Sequence, residues 1–189
     1  MTTITKERKF LPKEIYAKLV NDCVVCCVDC LLVRVNKQEQ DSSNGTTNWK
    51  KECLLVKRTS EPVKGVWWLP GGRLWKGETF FDAAIRKAKE ETGLSNVKPI
   101  QVLGVWNTLF PTSHWDNEIS KGTQTVNPIV LVELPSLSTT PQVVLDETSE
   151  ESKWIPLDPN VAMKNNEDKY VIQALLRLQA WDPTYSTKF

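Results

Sequence analysis

Apolar and β-branched residues dominate LVNDCVVCCVDCLLVRV (residues 19–35) and return in ECLLVKR from Glu52, a pattern that predicts strands at about 20–35 and 52–58. Between them KQEQDSSNGTTNW is polar and contains Asn-Gly, so it reads as a long hairpin loop near 37–50. Upstream, PKEIYAKLV predicts a short helix, since proline is tolerated in a first turn. VWWLPGG predicts a short strand that stops at Pro70-Gly71-Gly72, because proline lacks an N–H donor. From Thr79 to Thr92 the pattern turns helical. Thr79 with Asp82 three residues on makes a capping-box variant, Gly93 closes the end, and Phe81, Ile85 and Ala88 form the expected buried stripe. Strands follow near 98–108 and 126–134, joined by the loop LFPTSHWDNEISKGTQ. A last helix, about Glu167 to Trp181, would bury Tyr170, Ala174, Leu175, Leu178 and Trp181. No internal repeat or low-complexity tract interrupts this order.

Composition narrows the classes. A chain of 189 residues, 40% hydrophobic and 25% charged, has the size of one globular domain, and residues 1–189 are expected to form one. With 24 basic against 23 acidic residues, no global field draws it to nucleic acid or an anionic membrane, so an anionic ligand must be held by local chemistry. No apolar stretch approaches the roughly 20 residues that span a bilayer, and the start is polar, which leads to the expectation of a cytoplasmic protein. Five cysteines, four of them in CVVCCVDC, raise a zinc or redox reading. Strand alternation separates Cys23 and Cys27 from Cys26 and Cys30, which favours a packed strand. The tryptophans, eight in all, include Trp67 and Trp68 beside the Gly-Gly turn, where one should point inward.

Chemistry concentrates in GRLWKGETFFDAAIRKAKEETGL, Gly72 to Leu94. Gly72, Glu78, Arg86, Glu90, Glu91, Gly93 and Leu94 fall in register with G-x5-E-x7-R-E-U-x-E-E-x-G-U, so the segment resembles the Nudix box. The resemblance implies an α/β (α+β) Nudix fold, a mixed β-sheet sandwiched between α-helices. It also implies a hydrolase that uses Mg²⁺ or Mn²⁺, held by the Gly71 carbonyl, Glu90 and Glu91, with Arg86 orienting the acidic cluster. One position departs: Lys87 stands where the pattern has its first glutamate after the arginine. At i, i+3 and i+4 it shares a helix face with Glu90 and Glu91, so it either pairs with Glu91 or repels a metal, and fewer ions, about one, are expected.

The surroundings of the box are similar to the GDP-mannose mannosyl hydrolase branch over roughly residues 15–157, through ECLLVKRTSEPVKGVWWLPGGRLWKGE and LGVWN. That likeness implies that Arg58 and Arg73 hold or neutralise a diphosphate, a task that suits the planar guanidinium fork, and that Asp29 is a nucleotide-site acid. Ser149 takes the position of that branch's general-base histidine, Thr148 replaces a metal ligand, and Pro128 replaces a tyrosine. The only histidine, His114, lies in the long loop. A carboxylate is then the better base, from Glu147, Glu150 and Glu151, with Glu150 singled out. The expected function is hydrolysis of a small nucleotide sugar such as GDP-mannose. The alternatives are a nucleoside triphosphate or dinucleotide pyrophosphohydrolase and a nucleotide-binding module without turnover. A homodimer using Trp106 and the 110–125 loop is a further expectation.

Overall fold

The computed structural model describes residues 11–37, 49–113, 122–135 and 142–185. The hairpin loop near 37–50 lies largely outside them, as does His114. Helix α1 (Lys13–Asp22) leads into β1 (Val25–Lys37) and β2 (Trp49–Arg58). Two short strands, β3 (Trp67–Trp68) and β4 (Gly71–Arg73), precede helix α2 (Phe80–Thr92). Then come β5 (Lys98–Phe110), β6 (Thr123–Glu133), β7 (Ser149–Pro156) and the helices α3 (Pro159–Lys164) and α4 (Lys169–Trp181).

One mixed sheet in the order β3-β2-β1-β6-β5 organises the molecule. β1 is its hub. It runs parallel to β6 from Val25↔Thr125 to Val33↔Glu133 and antiparallel to β2 from Val33↔Cys53 to Lys37↔Trp49. Beyond Val33 and Cys53 these two strands part, and the opening is filled by β4 on β1 (Asp29↔Gly71) and β3 on β2 (Val56↔Trp68). β7 covers the other edge of β2. Both faces of β1 are packed, which is why its sequence reads as an almost continuous apolar run. Leu31 and Val33 join Leu55, Trp68, Tyr170, Leu175 and Leu178 on one side. Val28, Cys30 and Leu32 meet Ala83, Ala84 and Ala88 of α2 on the other. The α/β fold with helices against a mixed sheet is therefore present.

Several local expectations change. Residues 20–22 end α1 instead of opening a strand, and the N–H of Cys23 closes that helix on Leu19 O at 2.8 Å. The strand ahead of Pro70-Gly71-Gly72 stops as expected, β3 ending at Trp68, but Gly71–Arg73 then pair with β1 as a new strand, β4. Phe81 and Ile85 are each 38% exposed, whereas Ala83, Ala84 and Ala88 are fully buried, because α2 lies so close to β1 that only small residues fit between. Cys30 Sγ reaches Ala84 O at 3.5 Å across that contact. On α4, Trp181 is 45% exposed and the buried face is Tyr170, Val171, Ala174, Leu175 and Leu178. β5 and β6 extend to Phe110 and Thr123, taking both ends of the expected loop, and β7 and α3 were not foreseen. Trp106 packs on α4, with Nε1 donating to Gln173 Oε1 at 2.7 Å and its ring edge-on to Tyr170. Among the described residues no helix is long and apolar enough to cross a membrane.

Candidate functional site

The ends of α2 are fixed by the groups its sequence announces. Asp82 N–H donates to Thr79 Oγ1 (3.1 Å) and Thr79 N–H to Asp82 Oδ2 (3.2 Å), completing the capping box. Gly93, at φ 72°, returns its N–H to Lys89 O at 3.0 Å. So clamped, the helix presents Arg86, Lys87, Glu90 and Glu91 towards the turn formed by Pro70 to Arg73.

Arg86 is the hinge pin of this cluster. Nε and Nη2 grip Glu78 as a fork at 2.7 and 2.9 Å, Nη1 reaches Glu90 at 2.9 Å, and Nη2 also donates to the Arg73 carbonyl at 3.0 Å. The guanidinium lies 4.2 Å over the Trp75 ring. Glu91 is buried, at 2% exposure, and accepts from Gly71 N–H and from Lys87 Nζ, both at 2.9 Å. Lys87 Nζ is also 3.4 Å from Glu90. Burial works against the Lys87 charge, but Glu91 and Glu90 outweigh it and hold the ammonium above its usual pKa.

These distances decide how a divalent ion would fare. Glu90 and Glu91 offer hard carboxylate oxygens of the kind Mg²⁺ prefers, yet both already face an ammonium. Among the described residues no group of three or more His, Cys, Asp or Glu side chains comes together as a ligand set. The expected set, the Gly71 carbonyl with the two carboxylates of Glu90 and Glu91, is not of that kind. It is the Lys87 ammonium, facing both carboxylates, that leaves this set unfit for a resident ion as arranged, and of the two outcomes open to Lys87 the structure takes the pairing with Glu91.

Gly71 joins this cluster to the far side of the sheet. It lies opposite Asp29 on β1, and a Cβ at 71 would meet the Asp29 carboxylate and come within 2.8 Å of the Asp29 Cα, so glycine is required for the close approach. Asp29 is buried and points towards α4, where its Oδ2 accepts from Tyr170 Oη at 2.6 Å and Asn127 Nδ2 at 2.7 Å. Burial pushes its carboxyl pKa up to about 6, opposed by those two donors and reinforced by the negative charge of Glu91. Asn127 and Tyr170 were not anticipated as polar partners. The signal was Thr125 and Asn127 alternating inward along β6, where Thr125 Oγ1 donates to Asn127 Oδ1. Trp68 stacks on Tyr170 with centroids 4.5 Å apart.

The remaining expected residues divide. Arg73 lies 4.5 Å over the Tyr16 ring of α1 and, with Lys13, Arg86, Lys87 and Glu90, lines a cleft of about 370 Å³ between α1 and the box. Arg58 ends β2 opposite Ser149, and Arg58 Nε and Ser149 Oγ are buried without hydrogen-bond partners among the described residues. Glu150 is half-exposed and pairs with Lys57 at 3.0 Å, sharing it with Glu151, and is not joined to the box. Thr148 Oγ1 is spent locally on Asp146 at 2.6 Å. Of the cysteines, Cys30 and Cys53 are buried, and burial pushes the Cys27 thiol up to about 12, far from a thiolate at neutral pH.

Comparison with known proteins gives this geometry its relatives. The ADP-ribose pyrophosphatase of Methanocaldococcus jannaschii is 42% identical over 65 residues, 34% of this chain and 38% of that protein. The low-salt glycan biosynthesis protein Agl8 of Haloferax volcanii is 40% identical over 68 residues, 36% of this chain and 43% of that protein. The chain thus spans less than half the length of these curated relatives. Among solved structures, a C. elegans Ap4A hydrolase binary complex superposes with a TM-score of 0.58 at 21% identity, covering 84% of this chain and 97% of that one. The NUDIX domain of Shewanella oneidensis NrtR, complexed with ADP ribose, gives 0.56 at 16% identity, covering 84% and 88%. At such identities the likeness is one of fold. A family model, the NUDIX domain, matches residues 45–175. Since that region runs through the strand, turn and helix just described and takes in well over half of the sequence, the chain belongs to the NUDIX domain family.

Proposed function

We propose that the chain hydrolyses a nucleoside diphosphate joined to a sugar, in the cleft between α1 and the box helix. The observation that carries this reading is the cleft itself: Lys13, Arg73 and Lys87 line it together with the aromatic rings of Tyr16 and Trp75. Cations suit the diphosphate, and the Tyr16 and Trp75 rings back the guanidinium groups of Arg73 and Arg86. As the bond to the diphosphate breaks, negative charge grows on the leaving oxygen, and fixed guanidinium and ammonium groups stabilise it more in the transition state than before. Nudix enzymes generally use divalent ions, but the carboxylates for one are engaged here, so the chain's own cations carry this charge. Arg58 does not line the cleft, but its Nε is buried without an acceptor among the described residues, which keeps it as a candidate donor to a nucleotide reaching the end of β2. Asp29 acts indirectly: held by Tyr170 and Asn127, it backs Gly71 from the neighbouring strand. For the proton acceptor we favour Glu90 over Glu150 on position alone: both are ion-paired, but Glu90 lines the cleft and Glu150 does not.

The relatives named for ADP-ribose and for glycan biosynthesis support a sugar-bearing substrate. GDP-mannose is the specific candidate, with pyrophosphohydrolysis of triphosphates or dinucleotides as the alternative. Work on a small nucleotide in the cytoplasm, by a single domain, completes the proposal. A second reading, nucleotide binding without turnover, is favoured by the pairing of Lys87 with Glu91. Product analysis by ³¹P NMR in ¹⁸O-labelled water, with GDP-mannose, ADP-ribose, a dinucleotide and a triphosphate, separates them. Label in the free sugar means attack at carbon, and label in phosphate means attack at phosphorus. Binding of these nucleotides with no product from any of them would establish the second reading in place of the first.

A further inference from the structure

Lys87 is built into the box and does not lie loose on it. Its side chain is 17% exposed, with Nζ 2.9 Å from Glu91 and 3.4 Å from Glu90. Its stem lies against the backbone of Gly72, where a Cβ would come within 2.7 Å of Lys87 Cε and 3.1 Å of Nζ. Glycine at 72 is thus what lets the ammonium reach Glu91. A divalent ion bound by both carboxylates would have to sit against this ammonium, and like charges at such range repel strongly where water is scarce. Exchanging a carboxylate for an ammonium at position 87 alters the cluster by two charges, the same change that one divalent ion would bring. The ammonium carries three N–H donors; among the described residues it hydrogen-bonds Glu91 and lies 3.4 Å from Glu90. It lines the cleft beside Arg73 and Lys13.

We propose that the Lys87 ammonium is a tethered replacement for a divalent cation, and that it receives the ligand's diphosphate directly, so the site binds diphosphates without a metal ion. This rests on the reading of the cleft as a diphosphate site. Electron paramagnetic resonance of Mn²⁺ titrated into the full chain is the first test. Wild type leaves the ion free at concentrations where Lys87→Glu, which restores a carboxylate, binds it at least about tenfold more tightly. The second is calorimetric titration with inorganic pyrophosphate in EDTA. Wild type binds, Lys87→Arg retains binding, and Lys87→Gln weakens it about tenfold. Wild type binding Mn²⁺ as tightly as Lys87→Glu, or binding pyrophosphate only once Mn²⁺ is added, would overturn the proposal. The wild-type pyrophosphate titration, with and without Mn²⁺, decides the matter even where a variant fails to fold. Neither reads turnover, so a chain that binds pyrophosphate in EDTA and hydrolyses nothing keeps Lys87 in this role and loses only the hydrolase reading. A chain that binds no pyrophosphate in either condition loses both.

Discussion

Glu90 and Glu150 offer the sharpest contrast between single residues. Both are carboxylates in accessible positions, but Glu90 is held by Arg86 and Lys87 on the wall of the cleft, while Glu150 is tied to Lys57 on β7. Removing a general base costs on the order of 10²-fold or more in rate. Glu90→Gln should therefore lower turnover of the active substrate by about that factor and Glu150→Gln by less than about threefold. Steady-state rates showing the reverse order would return the base to Glu150. Asp29 yields a prediction of a different kind. Its pKa rises from 3.8 to about 6 in the folded protein, so the native state binds its proton more tightly than the unfolded chain does. The stability this confers is complete below 3.8 and is lost as pH rises through about 6, a swing of about 3 kcal/mol. Asp29→Asn does not titrate, so its stability relative to wild type should climb by that amount between pH 3.5 and 7.5. Urea unfolding of both proteins across the range measures it, and parallel curves would show that Asp29 keeps an ordinary pKa.

At the scale of elements, α2 shows which signals a sequence carries. Its caps, Thr79 with Asp82 and Gly93, depend on neighbours a few residues away, and both ends were legible. The box residues were legible for the same reason, since fixed spacing along a helix fixes which groups share a face. The buried stripe was not: bulk and apolarity pointed to Phe81 and Ile85, but the distance between α2 and β1 selects for smallness, and that distance is set by strands far away in sequence. Overpacking Ala88 should hence be costly. Ala88→Leu is expected to lose about 1–3 kcal/mol, read as a lowered urea midpoint, while Ile85→Ala on the exposed side should change stability by less than about 1 kcal/mol. β7 escaped for a related reason. SEESKWIP has weak alternation and a charged start, and it becomes a strand by pairing along β2. The pairing of Glu150 with Lys57 follows from that register and could not be read before the strand was known.

Across the whole molecule, the sheet is arranged around one strand. β1 exchanges hydrogen bonds with β2, β4 and β6 and packs helices on both faces, so its amides open only when the molecule does. Native-state hydrogen exchange should find Leu31, Leu32 and Val33 protected to the level of global unfolding, with the outer strand β5, where Leu109 is 75% exposed, opening earlier. Faster exchange at Leu31 to Val33 than along β5 would contradict this hierarchy. The parallel pairing has a consequence for how the chain is made. Val25 meets Thr125, one hundred residues later, and no tight turn can join parallel partners. A ribosome that has delivered β1 and β2 must therefore hold an apolar strand with one side open until residues 123–133 emerge. Through that interval the nascent chain presents the kind of edge on which other unfinished chains assemble.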